Sequence, residues 1–165
     1  MLKIIKNILH PSRRDLHTHY SRVSIYESEI EIEQDSDTVA VVELNRSFQV
    51  QDIPNIDETF IIHECNVLNY IKGRGPQKIR VRQFIEMESE SLLNQGNKYL
   101  LYLTYSGLNP PLEKDYYITG VTAGIYREIP FEENGSLAQD NKIMFVRNIV
   151  TEDNLPGEIQ IENLN

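Results

Sequence analysis

The chain has 165 residues and a formal net charge of −9, from 25 acidic and 16 basic residues. Because lysine and arginine contacts to phosphates supply most non-specific affinity for nucleic acids, this charge disfavours a nucleic-acid partner. The single cysteine excludes an intrachain disulfide and a zinc site built from several thiolates, and no apolar run approaches the roughly 18 residues that a membrane-spanning helix needs.

Residues 1–21 differ in character from the rest of the chain. They are basic, contain three of the four histidines and show no strand pattern. Their apolar residues have a roughly helical spacing that ends at Pro11, which predicts a short helix or a basic amino-terminal arm. The segment lacks a secretory apolar core and a cleavage site, so the chain as given is expected in the cytoplasm. The apolar residues are Leu2, Ile4, Ile5, Ile8 and Leu9.

A short helix is expected next, before a strand that begins at Thr38. Ser24 and Glu27 have the S-x-x-E spacing of a capping box, in which two side chains satisfy free backbone N–H groups at a helix start. The strict alternation of Glu29–Glu33 (EIEIE) would instead suit a strand. We favour the helical turn over the strand.

Between Thr38 and Ile129 the sequence reads as short β-strands separated by turns. β-Branched and apolar runs favour strands, whereas the intervening glycines and prolines interrupt the backbone ladder. Several strands at this spacing predict an all-β or mainly β domain over residues 22–150, a barrel or small sandwich with one or two short helices at most. The predicted strands are Thr38–Leu44, Thr59–Leu68, Lys78–Ile85, Lys98–Tyr105 and, interrupted by glycines, Tyr116–Ile129.

Side-chain alternation predicts how these strands pack. On the second strand, His63 and Cys65 should share one face with Ile61 and Val67. The alternation of the third strand breaks near Gln83 and Phe84, which suggests a β-bulge. The nearly continuous apolar run Tyr99–Leu103 predicts the most buried strand.

The composition of the chain changes in its carboxyl-terminal part. After Pro130 the chain becomes acidic and rich in turn residues, and it returns briefly to a strand pattern at Ile143–Val146. Residues 151–165 are predicted to form a polar tail or an edge strand, because Gly157–Glu162 (GEIQIE) alternates.

Three pieces of the middle block together carry a family resemblance. They are Asn69–Gly73 (NYIKG), Gly96–Leu103 (GNKYLLYL) and Tyr116–Tyr126 (YYITGVTAGIY). In this order they resemble small β-barrel domains of bacterial, often Gram-positive, secreted proteins and lipoproteins. Those domains are similar to the netrin-like and tissue-inhibitor-of-metalloproteinases modules, which have an OB-type barrel. The resemblance implies an OB-like or netrin-like fold and, if a leader was removed, a location outside the cytoplasm.

The resemblance transfers no functional residue. Inhibitors of metalloproteinases use an amino-terminal cysteine to reach the metal of the enzyme, and they depend on several disulfides. The only cysteine of this chain, Cys65, is internal. The resemblance therefore implies a fold and a location, and no inhibitory activity.

Asp15, His17 and His19 (DLHTH) are the strongest candidates for metal chemistry. An H-x-H motif after a strand is similar to the start of metal-dependent phosphoesterases, and two imidazoles at this spacing can share a metal. Such sites need more ligands from later strands, and His63 is the only later histidine. A metal-dependent hydrolase stays an alternative, while a solvated polar arm is favoured and no cofactor is predicted.

His63 and Cys65 offer a second catalytic possibility, a thiolate–imidazolium pair on one strand face. Same-face neighbours on a strand lie roughly 6.5–7 Å apart, so a buried histidine beside an inert thiol is favoured. The serine-hydrolase motif G-x-S-x-G and the phosphate-loop and dinucleotide glycine motifs are absent from the sequence. No catalytic residue is therefore predicted.

The most suggestive binding residues lie on the third strand. Alternation places Lys78, Arg80, Arg82 and Phe84 on one face, as in barrels that bind oligonucleotides. The plainer interpretation is an exposed face paired across the sheet with carboxylates. The sequence thus favours a non-enzymatic β-barrel module that binds a protein or an extracellular ligand, with a single-stranded nucleic-acid binder as another alternative.

Overall fold

The computed structural model describes residues 25–50, 59–84, 92–105, 115–129, 142–149 and 152–162. These residues form one short helix and eight strands, so the predicted mainly β class is confirmed. Within these ranges, no helix has the length and apolar character that crossing a bilayer requires. The elements are α1 (Glu29–Asp35), β1 (Thr38–Val50), β2 (Phe60–Lys72), β3 (Lys78–Phe84), β4 (Lys98–Tyr105), β5 (Asp115–Ile118), β6 (Ile125–Glu128), β7 (Lys142–Arg147) and β8 (Glu158–Glu162).

Five of the strands form a ring in the order β1-β2-β3-β5-β4, which β1 closes by pairing with β4. All neighbours in the ring are antiparallel except β3 and β5, which run parallel. β6 pairs with the same edge of β4 as β5 does, and β7 and β8 continue the sheet outward from β6. The arrangement is therefore a barrel with a three-stranded extension.

The long strand β1 pairs with two neighbouring strands because its backbone is irregular. Its register against β2 shifts between Val39 and Ala40, between Val41 and Val42, and again after Leu44. Such bulges bend a strand and increase its twist, which lets β1 turn from one side of the barrel to the other. The amino-terminal half of β1 pairs with β4 as well as β2, and its remainder extends along β2 alone.

The bulge predicted near Gln83 and Phe84 is absent from β3, so that prediction was wrong. β3 pairs with β2 without a register shift as far as Phe84. Gln83 keeps the alternation and is a buried polar residue, whose side-chain oxygen accepts a hydrogen bond of 3.0 Å from the Leu93 N–H. The alternation of apolar and polar residues breaks in the sequence because the polar Gln83 occupies an inward position.

Apolar side chains form two main cores on opposite faces of β1 and β4. The inner core fills the barrel, and β4 is buried over Tyr99–Leu103, as the sequence predicted. The outer core lies where α1, β7 and β8 pack against the outer faces of β1, β4 and β6. Its members are Tyr26, Ile32, Val39, Val41, Leu100, Tyr102, Ala123, Tyr126, Phe145 and Leu155, with Ile143, Ile159 and Ile161 packed against them.

Helix α1 confirms the predicted helical turn, although its cap differs from the predicted one. Ser28 is the N-cap, and its side chain accepts a hydrogen bond from the Glu31 N–H. Glu31 in turn accepts from the backbone N–H of Glu27 at 2.8 Å. Ser28 and Glu31 therefore cap the helix start, and the Glu31 side chain accepts from the residue before the N-cap rather than from the N-cap itself. Ser24 lies outside the described residues.

The carboxyl-terminal end of α1 is held by Lys72, the last residue of β2. The Lys72 ammonium donates hydrogen bonds to the carbonyl oxygens of Glu33 and Ser36. A cation at this end also interacts favourably with the helix dipole, and it satisfies carbonyl groups that have no partner within the helix. α1 is thereby fixed across the outer face of the barrel.

Candidate functional site

The face predicted on β3 exists, and β2 supplies its neighbours. Ile79 and Val81 point into the barrel, so Lys78, Arg80 and Arg82 lie on the outer side. Across the sheet, Asn66 is opposite Lys78, Glu64 is opposite Arg80 and Phe60 is opposite Phe84. Arg46 on β1 forms a two-pronged ion pair with Glu64, with distances of 2.6 and 3.0 Å. The predicted cross-strand pairing with carboxylates is therefore present.

Asp115 at the start of β5 binds two of the predicted cations. Arg80 Nε lies 2.6 Å from Asp115 Oδ1, and Arg82 Nη2 pairs with Asp115 Oδ2. The parallel pairing of β3 and β5 brings them together, because it places Asp115 beside Arg80 in register. One carboxylate thus faces two guanidinium groups.

The two arginines differ in what they offer to a ligand. The Arg80 side chain is 38% exposed, whereas that of Arg82 is completely buried. Arg82 lies over the rings of Phe60 and Tyr117, with its guanidinium carbon 4.8 and 5.8 Å from their centroids. Phe84 packs on Phe60 with a centroid separation of 4.7 Å. Arg82 is therefore a structural cation, and the expectation of an exposed Arg82 was wrong.

His63 and Cys65 lie on the inner side of β2, as predicted, and neither ring nitrogen of His63 bonds to the Cys65 thiol. A hydrogen bond of 2.7 Å joins Nδ1 of His63 to the Ser47 hydroxyl, and the Cys65 thiol is directed toward the His63 carbonyl oxygen. Burial lowers the pKa of His63 to about 4, with a hydrogen bond from the imidazole to Gln83 opposing the shift. Burial also raises the pKa of Cys65 to about 12. A neutral imidazole beside a protonated thiol matches the structural interpretation.

A groove between α1, the end of β2 and the strand β8 is the feature that sequence reasoning missed. Its volume is about 340 Å³, and it is open to solvent on one side. We call it the α1–β8 groove. It is lined by Glu29, Glu33, Val39, Ile71, Leu100, Tyr102, Ile159, Gln160, Ile161 and Glu162.

The floor of the α1–β8 groove is apolar and belongs to the outer core. Val39, Leu100 and Tyr102 come from buried positions of β1 and β4, whereas Ile159 and Ile161 are partly buried residues of β8. Ile71 stands at the margin with 49% of its surface exposed, an unusual state for a large aliphatic side chain on a strand. The groove thus offers uncovered apolar surface to a ligand.

The rim of the α1–β8 groove is acidic. Glu29 and Glu33 lie one helical turn apart on α1, and Glu162 faces them from β8. The Tyr102 hydroxyl donates a hydrogen bond of 2.9 Å to Glu29 Oε1, which anchors this carboxylate at the groove wall. Burial, followed by this contact with Glu29, raises the pKa of Tyr102 well above its usual range, so the phenol stays protonated and keeps donating. The carboxylate rim would attract a cationic ligand.

Asp15, His17 and His19 lie outside the described residues, and so does the whole predicted arm, residues 1–21. Among the residues that the structure does describe, no three histidine, cysteine or acidic side chains are grouped so that they could hold a metal ion.

Asp115 and Ile71 are the principal site residues that local patterns did not single out. An acid directly before the tyrosines of β5 and an isoleucine next to Lys72 have no distinctive spacing. Their roles arise from strand pairings between distant parts of the chain. Comparison of the sequence with protein-family models and with curated proteins gives no match.

Proposed function

We propose that this protein is a non-enzymatic β-barrel binding module whose ligand site is the α1–β8 groove. The proposed ligand is a short amphipathic polypeptide segment, with aliphatic side chains on one face and lysine or arginine beside them. The single observation that carries the proposal is an open apolar groove with a carboxylate rim on both walls. Binding of a helix face in an apolar groove is a common mode of peptide recognition.

The apolar floor would supply affinity and the rim would supply specificity. Burying an aliphatic side chain against this floor is worth about 1.5–3 kcal/mol, so two or three anchors suffice for a weak, reversible complex. The exposed carboxylates at the rim would repel acidic ligands and steer basic ones toward the groove.

The outer face of β2 and β3 supports a ligand site less well. Asp115 neutralises part of its positive charge, Glu64 occupies another part, and Arg82 is buried beneath aromatic rings. Phosphate binding would need free cations on this face. The single-stranded nucleic-acid alternative therefore ranks below peptide binding.

The test is a binding titration with a synthetic amphipathic peptide of leucine and lysine, about three helical turns long. Ile71→Glu should weaken binding by about tenfold or more, because it replaces an aliphatic contact with a charged group that must lose water when the peptide binds. Leu68→Glu is the matched control, since Leu68 lies on the same strand and is 50% exposed outside the groove.

Two results of these titrations would contradict the proposal. If Ile71→Glu and Leu68→Glu change the affinity by the same factor, the peptide binds elsewhere or without a defined site. A peptide in which glutamate replaces lysine should bind much more weakly than the lysine peptide. Equal binding of the two peptides would remove the role assigned to the acidic rim.

A further inference from the structure

We propose that the α1–β8 groove binds the chain's own residues 1–10, so that this segment competes with ligands supplied by other molecules. This inference rests on the proposed function and names one ligand of the same site. Residues 1–10 read MLKIIKNILH. At 100° per residue, a helix of this sequence would present its five aliphatic side chains on one side and Lys3 and Lys6 on the other.

The composition of the amino-terminal segment complements the rim of the groove. Residues 1–10 contain two lysines, Lys3 and Lys6, and no acidic residue. The rim presents Glu29, Glu33 and Glu162, and Glu158 lies exposed on the same strand, β8. Opposite charges that come within the Debye length, about 8 Å at physiological ionic strength, attract one another.

The covalent connection places the segment within reach of the groove. Residues 11–24 join it to Ile25, and only three residues separate Ile25 from Glu29 on the groove wall. Fourteen extended residues span up to about 46 Å, whereas a seven-residue helix such as α1 is about 10 Å long. A ligand tethered by a linker of this length has an effective concentration in the millimolar range, so weak contacts suffice.

A second copy of the chain fits the groove less well than this segment does. The exposed edge of the groove is β8, whose sequence is EIQIE. Antiparallel pairing of two such edges would bring glutamates of one copy against those of the other, and like charges directly opposite one another are destabilising. The overall charge of −9 adds to this repulsion.

The experiment measures how tightly the full chain binds the leucine–lysine peptide supplied in solution. Three chains are compared: the unmodified chain, a double variant with Lys3→Glu and Lys6→Glu, and a control with Arg13→Glu and Arg14→Glu. Both double variants change the net charge equally. The Lys3 and Lys6 substitutions should strengthen peptide binding about tenfold by releasing the competing segment, whereas the control should bind like the unmodified chain.

Methyl resonances of the groove give a second readout. In the same comparison, the Ile71, Ile159 and Ile161 methyl signals should shift in the Lys3/Lys6 variant and stay in place in the Arg13/Arg14 control. Unchanged methyl signals would overturn the inference. Equal or weaker peptide binding by the Lys3/Lys6 variant would also overturn the inference. If Ile71→Glu still weakened peptide binding in that case, the proposed function would stand. If none of the three chains bound the peptide, both the inference and the proposed function would fall.

Discussion

Arg82 and Asp115 form an ion pair in which both side chains are withdrawn from solvent. The two residues lie on strands that run parallel, and 33 positions of sequence separate them. Within the described part of the chain, Nε and Nη1 of Arg82 have no hydrogen-bond partner. The rings of Phe60 and Tyr117 provide the remaining compensation for this charge, through cation–π contact.

Removing the carboxylate should therefore be costly. In Asp115→Asn the shape is kept, but the buried guanidinium loses its counter-charge, and we expect a loss of about 3–5 kcal/mol in the free energy of unfolding. The measurement is denaturant unfolding followed by circular dichroism. The control is Glu64→Gln, which breaks the solvent-exposed pair with Arg46 and should change the free energy of unfolding far less than Asp115→Asn does. Equal losses in the two variants would contradict the assigned role of Asp115.

His63 should make stability depend on pH. Its pKa in the folded chain is about 4, below the ordinary value of 6.5, because burial disfavours the charged imidazolium. The unfolded chain therefore binds a proton first as pH falls, and the stabilising contribution is present above about pH 6.5 and lost toward pH 4. Between pH 7 and pH 5 the expected loss is about 2 kcal/mol.

The control for this pH dependence is His63→Gln, which keeps a polar group opposite Ser47 and removes the titration. Unfolding free energies are compared at pH 7 and pH 5 for both chains. The difference between the two pH values should shrink by about 2 kcal/mol in the variant. If the variant keeps the full pH dependence, other groups are responsible for it.

Two glycines that both have a positive φ should respond differently to substitution by alanine. Gly120 and Gly96 both have positive φ, +68° and +80°, which disfavours any residue with a Cβ. A Cβ at Gly120 would lie 2.7 Å from Cε2 of Tyr26 and 3.0 Å from the Ala123 Cβ, whereas a Cβ at Gly96 meets nothing within 4 Å. Gly96→Ala should cost about 1 kcal/mol from backbone strain alone.

Gly120→Ala carries the same strain together with a clash against a fully buried tyrosine, so it should cost at least about 1 kcal/mol more than Gly96→Ala. Denaturant midpoints at constant slope measure both losses. Equal midpoints for the two variants would mean that Tyr26 moves aside at no cost.

Most strand positions could be predicted because their causes are local. The β-branched run at Thr38 and the glycines that flank Lys98–Tyr105 determine strands and turns within a few residues of sequence. The end of β1 was predicted at Leu44, six residues early, because its polar second half has no apolar run and is stabilised by pairing with β2. Local patterns thus fail where a distant strand supplies the stabilisation.

The groove could not be predicted for the same reason. Ile71 and Ile161 are ninety positions apart, and they line one groove only because β6–β8 fold outward over β1 and β4. The acidic alternation of Glu158–Glu162 did predict the edge strand. The acidic charge on the β8 side of the groove could therefore be predicted from the sequence, whereas the apolar floor of the groove could not.

Lys72 tests whether the position of α1 matters for the groove. Its ammonium bonds to two carbonyl oxygens at the end of α1, and α1 carries Glu29 and Glu33 at the rim. Lys72→Met keeps most of the aliphatic stem and should cost about 1.5 kcal/mol of unfolding free energy by removing charge-assisted hydrogen bonds. The substitution should also weaken binding of the leucine–lysine peptide several-fold. Loss of the positive charge alone would instead favour a basic ligand. Lys78→Met is the matched control, because it removes an equal charge from the exposed face of β3. Tighter peptide binding by Lys72→Met than by Lys78→Met would show that charge alone governs the groove and that the position of α1 does not.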